Sequence, residues 1–281
     1  MTAVSATQRA LDRARALPVG EHRFKALNSL VHLFNLADEQ SEQTDLACAE
    51  LLQAAHASGD RLSIVVSGLT VGYVAAAGRR WTAAAEHFET ALGVARELGS
   101  MNLECNALGG LSAVLEGRGE IEEAQKVLEA SLTLRRRTGH EHNIACDLIQ
   151  LTGLTVKLND SARASALLRE SVPLIRATGS VWLEATLVRA VAQLLASQGQ
   201  WGASVELHAA AAERHREHGT PINADELRIV QVDLDAARAG LGALAHETAR
   251  ASGAALDHAG AFELAVRRLG SLPEHIIPDA A

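Results

Sequence analysis

The sequence predicts an all-α chain, a right-handed superhelical solenoid of about six 40-residue antiparallel helix pairs, and three observations carry that prediction. Gly59, Gly99, Gly139, Gly179 and Gly219 stand forty residues apart, and a fixed period of this length marks a repeat array. Their followers are Asp60, Ser100, His140, Ser180 and Thr220, and four of these five are good helix N-caps. Aromatic residues make up only 3% of the chain against 48% hydrophobic, a mixture that favours closely packed helices over a β-sandwich.

Each periodic glycine is expected to close one helix in the left-handed conformation, which costs glycine nothing. Pro221 follows Thr220 at a position where a missing N–H is harmless. A second turn divides each unit at Gly119, Asn159 and Gly199, again forty residues apart, and at Gly78, one place early in its unit. Asn tolerates the left-handed region better than most residues. Each unit is therefore two helices of roughly seventeen residues, about 26 Å long at 1.5 Å per residue.

The units fall near residues 20–59, 60–99, 100–139, 140–179, 180–219 and 220–258, in one repeat domain over 1–265 with a tail at 266–281. The second helices carry a small–large–small pattern: Ala84, Phe88, Ala91; Ala124, Leu128, Ser131; Ala164, Leu168, Ser171. Steps of four and three place each triplet on one helix face, where small residues let neighbours approach and the large one fills the gap. In the fifth unit the triplet reads Ser204, His208, Ala211, and in the first Cys48 and Leu51 stand in its place. Pro173 inside a second helix is expected to bend it.

Asp+Glu 34 against Lys+Arg 26 gives a net charge of -8. An acidic chain without a basic stripe repels phosphate backbones and anionic lipid, which argues against nucleic acid and membrane partners. Arg135-Arg136-Arg137 lies just before Gly139, at an expected helix C-terminus, where cations complement the helix dipole. No eighteen-residue apolar run occurs, and Met1 to Leu17 lacks the apolar core of a secretory signal. Cys48, Cys105 and Cys146 are widely spaced and read as buried thiols of a reducing compartment, so a cytoplasmic location is expected.

The stretch Ala91-Leu92-Gly93-Val94-Ala95-Arg96-Glu97-Leu98-Gly99 resembles the phrase that ends many tetratricopeptide repeats, here with a longer period and longer helices than the common form. It is similar to the repeat regions of LuxR-type ATP-binding activators and antibiotic-pathway activators of actinobacteria. Leu241-Gly242-Ala243, Ala249, Ala251, Gly253 and the stretch from Leu256 to Leu264 resemble the segment that closes those arrays. The resemblance covers roughly residues 20–265 and implies a scaffold that senses ligands or partners. The chain has no GxxxxGK[ST] phosphate loop, and the residues after Leu264 are too few for a helix-turn-helix. The resemblance therefore does not bring transcription-factor function with it, and the chain reads as a freestanding repeat protein or an excised module.

Spacings of 3, 4 and 3 along the first helices pick out the columns expected to line a concave groove. They are Ser63, Val66, Thr70, Tyr73; Leu103, Asn106, Gly110, Ala113; Asn143, Cys146, Gln150, Gly153; Leu183, Thr186, Ala190, Gln193; and Asn223, Glu226, Val230, Asp233. The candidate binding residues are Tyr73, Asn106, Asn143, Gln150, Thr186, Gln193, Glu226 and Asp233. No Lys or Arg stands in these columns, so the groove is not built as a clamp for a charged tail. It suits a partner's helix, a peptide or a small apolar ligand held by amide and hydroxyl contacts.

Catalytic signatures are missing: there is no GxSxG elbow and no Cys–His signature. Glu226 with Asp233, or Asp147 with Glu184, are the carboxylates that would serve an acid–base pair. Among twelve histidines, His208, His215 and His218 share a helix and His140 and His142 a loop, but HExxH and closely paired Cys/His spacing are absent, so no metal is expected. No cofactor is expected either. The leading reading is a non-catalytic module that holds a protein or peptide partner in a regulatory or biosynthetic assembly. The alternatives are a small-molecule sensor or carrier and an enzyme using the groove for an apolar metabolite. Phe24, Leu27, Leu30, Val31 and Phe34 make the first unit apolar for a cap, which points to an exposed end face and a homodimer.

Overall fold

The computed structural model describes residues 3–18, 20–36, 42–218 and 224–272, with side-chain surroundings for 9–18, 20–34, 42–213 and 227–272. Among the described residues every regular element is an α-helix, and no strand occurs. None of these helices is long and apolar enough to cross a membrane. The chain divides into two compact units, residues 1–138 and 139–281.

The first unit holds α1 (Ala3–Ala16), α2 (Glu21–Leu36), α3 (Glu42–Ser58), α4 (Arg61–Ala77), α5 (Trp81–Glu97), α6 (Met101–Gly117) and α7 (Ile121–Thr138). Helices α4 and α5 pair, as do α6 and α7, and α5 packs in turn on α6. The punctuation acts as expected at Gly59, Gly99, Gly119 and Gly139, all at positive φ. The turn at Gly78 is different: its φ is -77°, and the left-handed residue is the next one, Arg79, at φ 56°. That correction restores the register, because Arg79, Gly119, Asn159 and Gly199 are forty residues apart and all left-handed. The four turns close with one hydrogen-bond pattern, shown by Arg80 N to Ala75 O and Glu120 N to Leu115 O, both 2.8–2.9 Å. These are Schellman closures, and the hairpin imposes their geometry whatever residue sits at the left-handed position.

Expected caps are only partly used. Asp60 accepts from Leu62 N at 3.3 Å and Ser63 N at 2.9 Å, whereas Ser100 and His140 make no side-chain cap bond.

The small–large–small triplets are buried throughout. Phe88 shows how they work: its ring lies against the bare α-carbons of Gly72 in α4 and Gly110 in α6, filling the space that side chains there would need. Ser131 donates to Cys105 O at 3.3 Å and Ser112 to Ala124 O at 2.8 Å, so small hydroxyls at the α6–α7 contact are satisfied across it.

The apolar face of the first unit is not open. Phe24, Leu27, Val31 and Phe34 are buried with Ala47 and Leu51 of α3 and with Leu11 and Ala14 of α1, a helix that the repeat pattern does not announce. Arg15 of α1 bridges to Glu50 of α3 through Nε at 2.8 Å and Nη2 at 2.6 Å.

The second unit holds α8 (Glu141–Lys157), α9 (Ser161–Thr178), α10 (Val181–Ser197), α11 (Trp201–His218), α12 (Ala224–Leu241), α13 (Ala243–Ala254) and α14 (His258–Gly270). Left-handed Asn159, Gly179 and Gly199 again mark its turns, while Gly219, Thr220 and Pro221 lie outside the described residues. Helix α9 runs unbroken through Pro173, whose ring is exposed. The last repeat departs from a simple pair. Gly253 lets the backbone of α13 meet the Glu206 carbonyl of α11 directly, and α14 packs on α9, α10 and α11.

Helix α14 continues through Gly270, past the boundary placed at residue 265. It buries Ala261, Phe262, Ala265 and Leu269, spaced for one helix face. Arg169 donates to Leu269 O and Leu272 O at 3.1 and 2.7 Å, and Arg176 pairs with Glu263 at 2.7 Å while lying 5.6 Å over the Phe262 ring. With neighbours on several sides, α10 is enclosed and buries eleven residues.

Candidate functional site

In the first unit the expected groove residues Tyr73 of α4 and Asn106 of α6 come together. Tyr73 is 40% exposed, its hydroxyl donates to Asn106 O at 3.3 Å, and its ring meets Phe88 edge-on at 5.0 Å. The Asn106 side chain has a partner that the column pattern does not include. Arg135 of α7 turns inward, is 6% exposed, and donates from Nη2 to Asn106 Oδ1 at 2.9 Å. The tri-arginine run is therefore not wholly a solvated helix end. One of its three members is buried with its guanidinium on a side chain of α6.

One turn before Tyr73, Thr70 donates to Asn28 Oδ1 of α2 at 2.8 Å. The first helices α2, α4 and α6 are thus joined by a short series of hydroxyl and amide contacts, half-buried except for the more exposed Tyr73. Chemically this surface offers oriented hydrogen-bonding groups beside an exposed ring and no ionised acid–base pair.

In the second unit Asn143 is half-buried, Gln150 exposed and Gln193 half-buried, so these three remain at the surface. Thr186 does not: with Leu183 and Ala190 it is buried, and its hydroxyl donates to Trp182 O at 2.8 Å in its own helix. The enclosure of α10 by its neighbours removes most of that column from solvent.

The side chains that do stand out are Trp182 and His142, which the columns miss by one position. Trp182 is 46% exposed and stacks on His142 with ring centroids 6.2 Å apart and planes 24° from parallel. The two are forty residues apart, at the same place in α8 and α10. That periodic spacing was the signal that would have found them.

The candidate carboxylates have other surroundings among the described residues. Glu184 pairs with His258 of α14, and Asp147 is buried. Asp233 of α12 lies 3.1 Å from His208 Nε2, while the side chain of Glu226 lies outside the described residues, as do those of His215 and His218. Among the described residues no three His, Cys, Asp or Glu side chains gather where they would hold a metal ion.

No protein-family model matches this chain, and no curated protein does. Among solved structures, it resembles the crystal structure of aspartyl phosphate phosphatase F from Bacillus subtilis, with TM-score 0.61 and 8% sequence identity over 86% of this chain. The chain spans 66% of that protein's length. A likeness at this identity shows the fold, a tetratricopeptide-like array of paired helices.

Proposed function

We propose that the chain is a binding module that holds a protein or peptide partner on the exposed faces of its first helices. The observation that carries this reading is the aromatic exposure. Tyr73 in one unit and Trp182 in the other are 40% and 46% exposed, and each is braced by a neighbouring repeat rather than left loose. Aromatic rings fixed beside amide donors and acceptors are the groups that carry most energy in protein interfaces. Asn106, Asn143, Gln150 and Gln193 then supply hydrogen bonds, with Thr186 bracing the Trp182 backbone. The fold shared with the Bacillus phosphatase supports a helical-repeat scaffold, and the resemblance to regulator sensing regions supports a place in a regulatory assembly.

The test is site-specific photocrosslinking in the host cell. A benzophenone side chain at position 73 or 182 yields discrete adducts, and one at exposed Glu89 on the second helix α5 does not. Equal labelling from all three positions, or none from 73 and 182, rejects the reading.

A further inference from the structure

The eighth residue of three second helices is a buried filler: Phe88 in α5, Leu128 in α7 and Leu168 in α9. In α11 the eighth residue is His208, equally buried at 3% exposure. Its Nε2 faces Asp233 Oδ2 of α12 at 3.1 Å, so the ring carries its proton on Nε2 and donates it to the carboxylate. Its Nδ1 is buried with no hydrogen-bond partner among the described residues. An apolar plug has thus been replaced by one directional bond.

The rest of α12 is thinly held. Of its described side chains from Leu227 to Leu241, Ala237 alone is buried, while Leu227 is 51% and Val232 63% exposed. Beyond Ala237, the bare α-carbon of Gly240 lies against the Trp201 ring. Helix α10, by contrast, buries eleven residues. Apolar contact tolerates small shifts, but a hydrogen bond is lost once the groups separate or tilt. Segments with few buried contacts open at a free energy well below that of the core.

We infer that the His208–Asp233 pair is a pin holding α12 against α11, and that α12 is a strap that releases while α8 to α11 stay folded. Release bares the His208 ring and the α11 face beside it, so the last repeat has a closed and an open form. This holds whichever partner the chain binds.

Hydrogen exchange on the full-length chain tests the pin. In the unmodified protein the α12 amides exchange about a hundredfold faster than those of α10. D233A, which leaves His208 without its acceptor, speeds α12 exchange about tenfold further and leaves α8 to α10 unchanged. Exchange of α12 in step with α10, or equal acceleration of both by D233A, overturns the inference. Should D233A not fold, D233L, whose side chain cannot accept the His208 proton, is read in the same way: acceleration confined to α12 supports the pin, and uniform or absent acceleration removes it.

Discussion

The ring of Phe88 occupies the space that a β-carbon on Gly110 would need. Gly110 sits inside α6 with helical dihedrals, so its role is one of close approach and not of turn geometry. Two effects oppose each other in G110A. Alanine improves helix propensity by about 1 kcal/mol, while forcing a methyl into a packed ring costs about 1–3 kcal/mol. The second wins, and G110A lowers stability. F88L withdraws the ring, so in F88L/G110A the two effects fall short of their sum. Urea unfolding of the four proteins checks this; strict additivity would show that ring and glycine do not share the space.

Arg79 carries a positive φ of 56° at a turn where Gly119 and Gly199 serve in the neighbouring repeats. A side chain in the left-handed region costs about 1 kcal/mol, part of which glycine gives back through its freer unfolded chain. R79G therefore raises stability by about 0.5 kcal/mol, and N159G by less, since Asn is at home there. A fall in melting temperature for R79G would mean that the arginine's own contacts outweigh the strain.

Burial pushes the Cys48 thiol from 9.0 up to about 11, with the Asp45 carboxylate adding to the effect and the Arg80 guanidinium opposing it. The sign follows from linkage. Below pH 9 both folded and unfolded thiols are protonated; between about 9 and 11 the unfolded chain ionises and the folded one does not, so stability falls with rising pH. Across that window C48A loses less stability than the parent protein. Identical slopes in urea titrations would remove Cys48 as a cause.

Three tryptophans report on three places. Trp81 lies against Gly117 and Trp201 against Gly240, whereas Trp182 is 46% exposed on its stack with His142. Acrylamide quenching is therefore biphasic, and W182F removes the readily quenched fraction. H142A frees one face of the indole and steepens the quenching of that fraction. Quenching unchanged in W182F would place the accessible ring elsewhere.

Turn punctuation was legible because it is local: a left-handed residue followed by a cap is chosen by dihedral preference, and glycine declares it in the chain. The small–large–small triplets were equally legible, since four- and three-residue steps already define a helix face. The site was legible only in part. Tyr73 and Asn106 were found from their column and do meet. Arg135 was missed because an arginine near a helix end usually stays in solvent, and only the docked Asn106 of α6 draws its guanidinium inward. Trp182 and His142 were missed by one position, although their forty-residue separation was on the page.

By itself, then, the sequence determined the all-α class, the hairpin lengths and the residues that fill the gaps between neighbouring helices, because each depends on periodicity within a few turns. Tertiary packing decided what lies on the surface. It covered the first unit with α1, enclosed α10 so that Thr186 left solvent, joined Glu184 to His258, and brought Asp233 to His208. Burial of this kind depends on where distant helices dock, and a repeat pattern describes each helix only with its nearest neighbours.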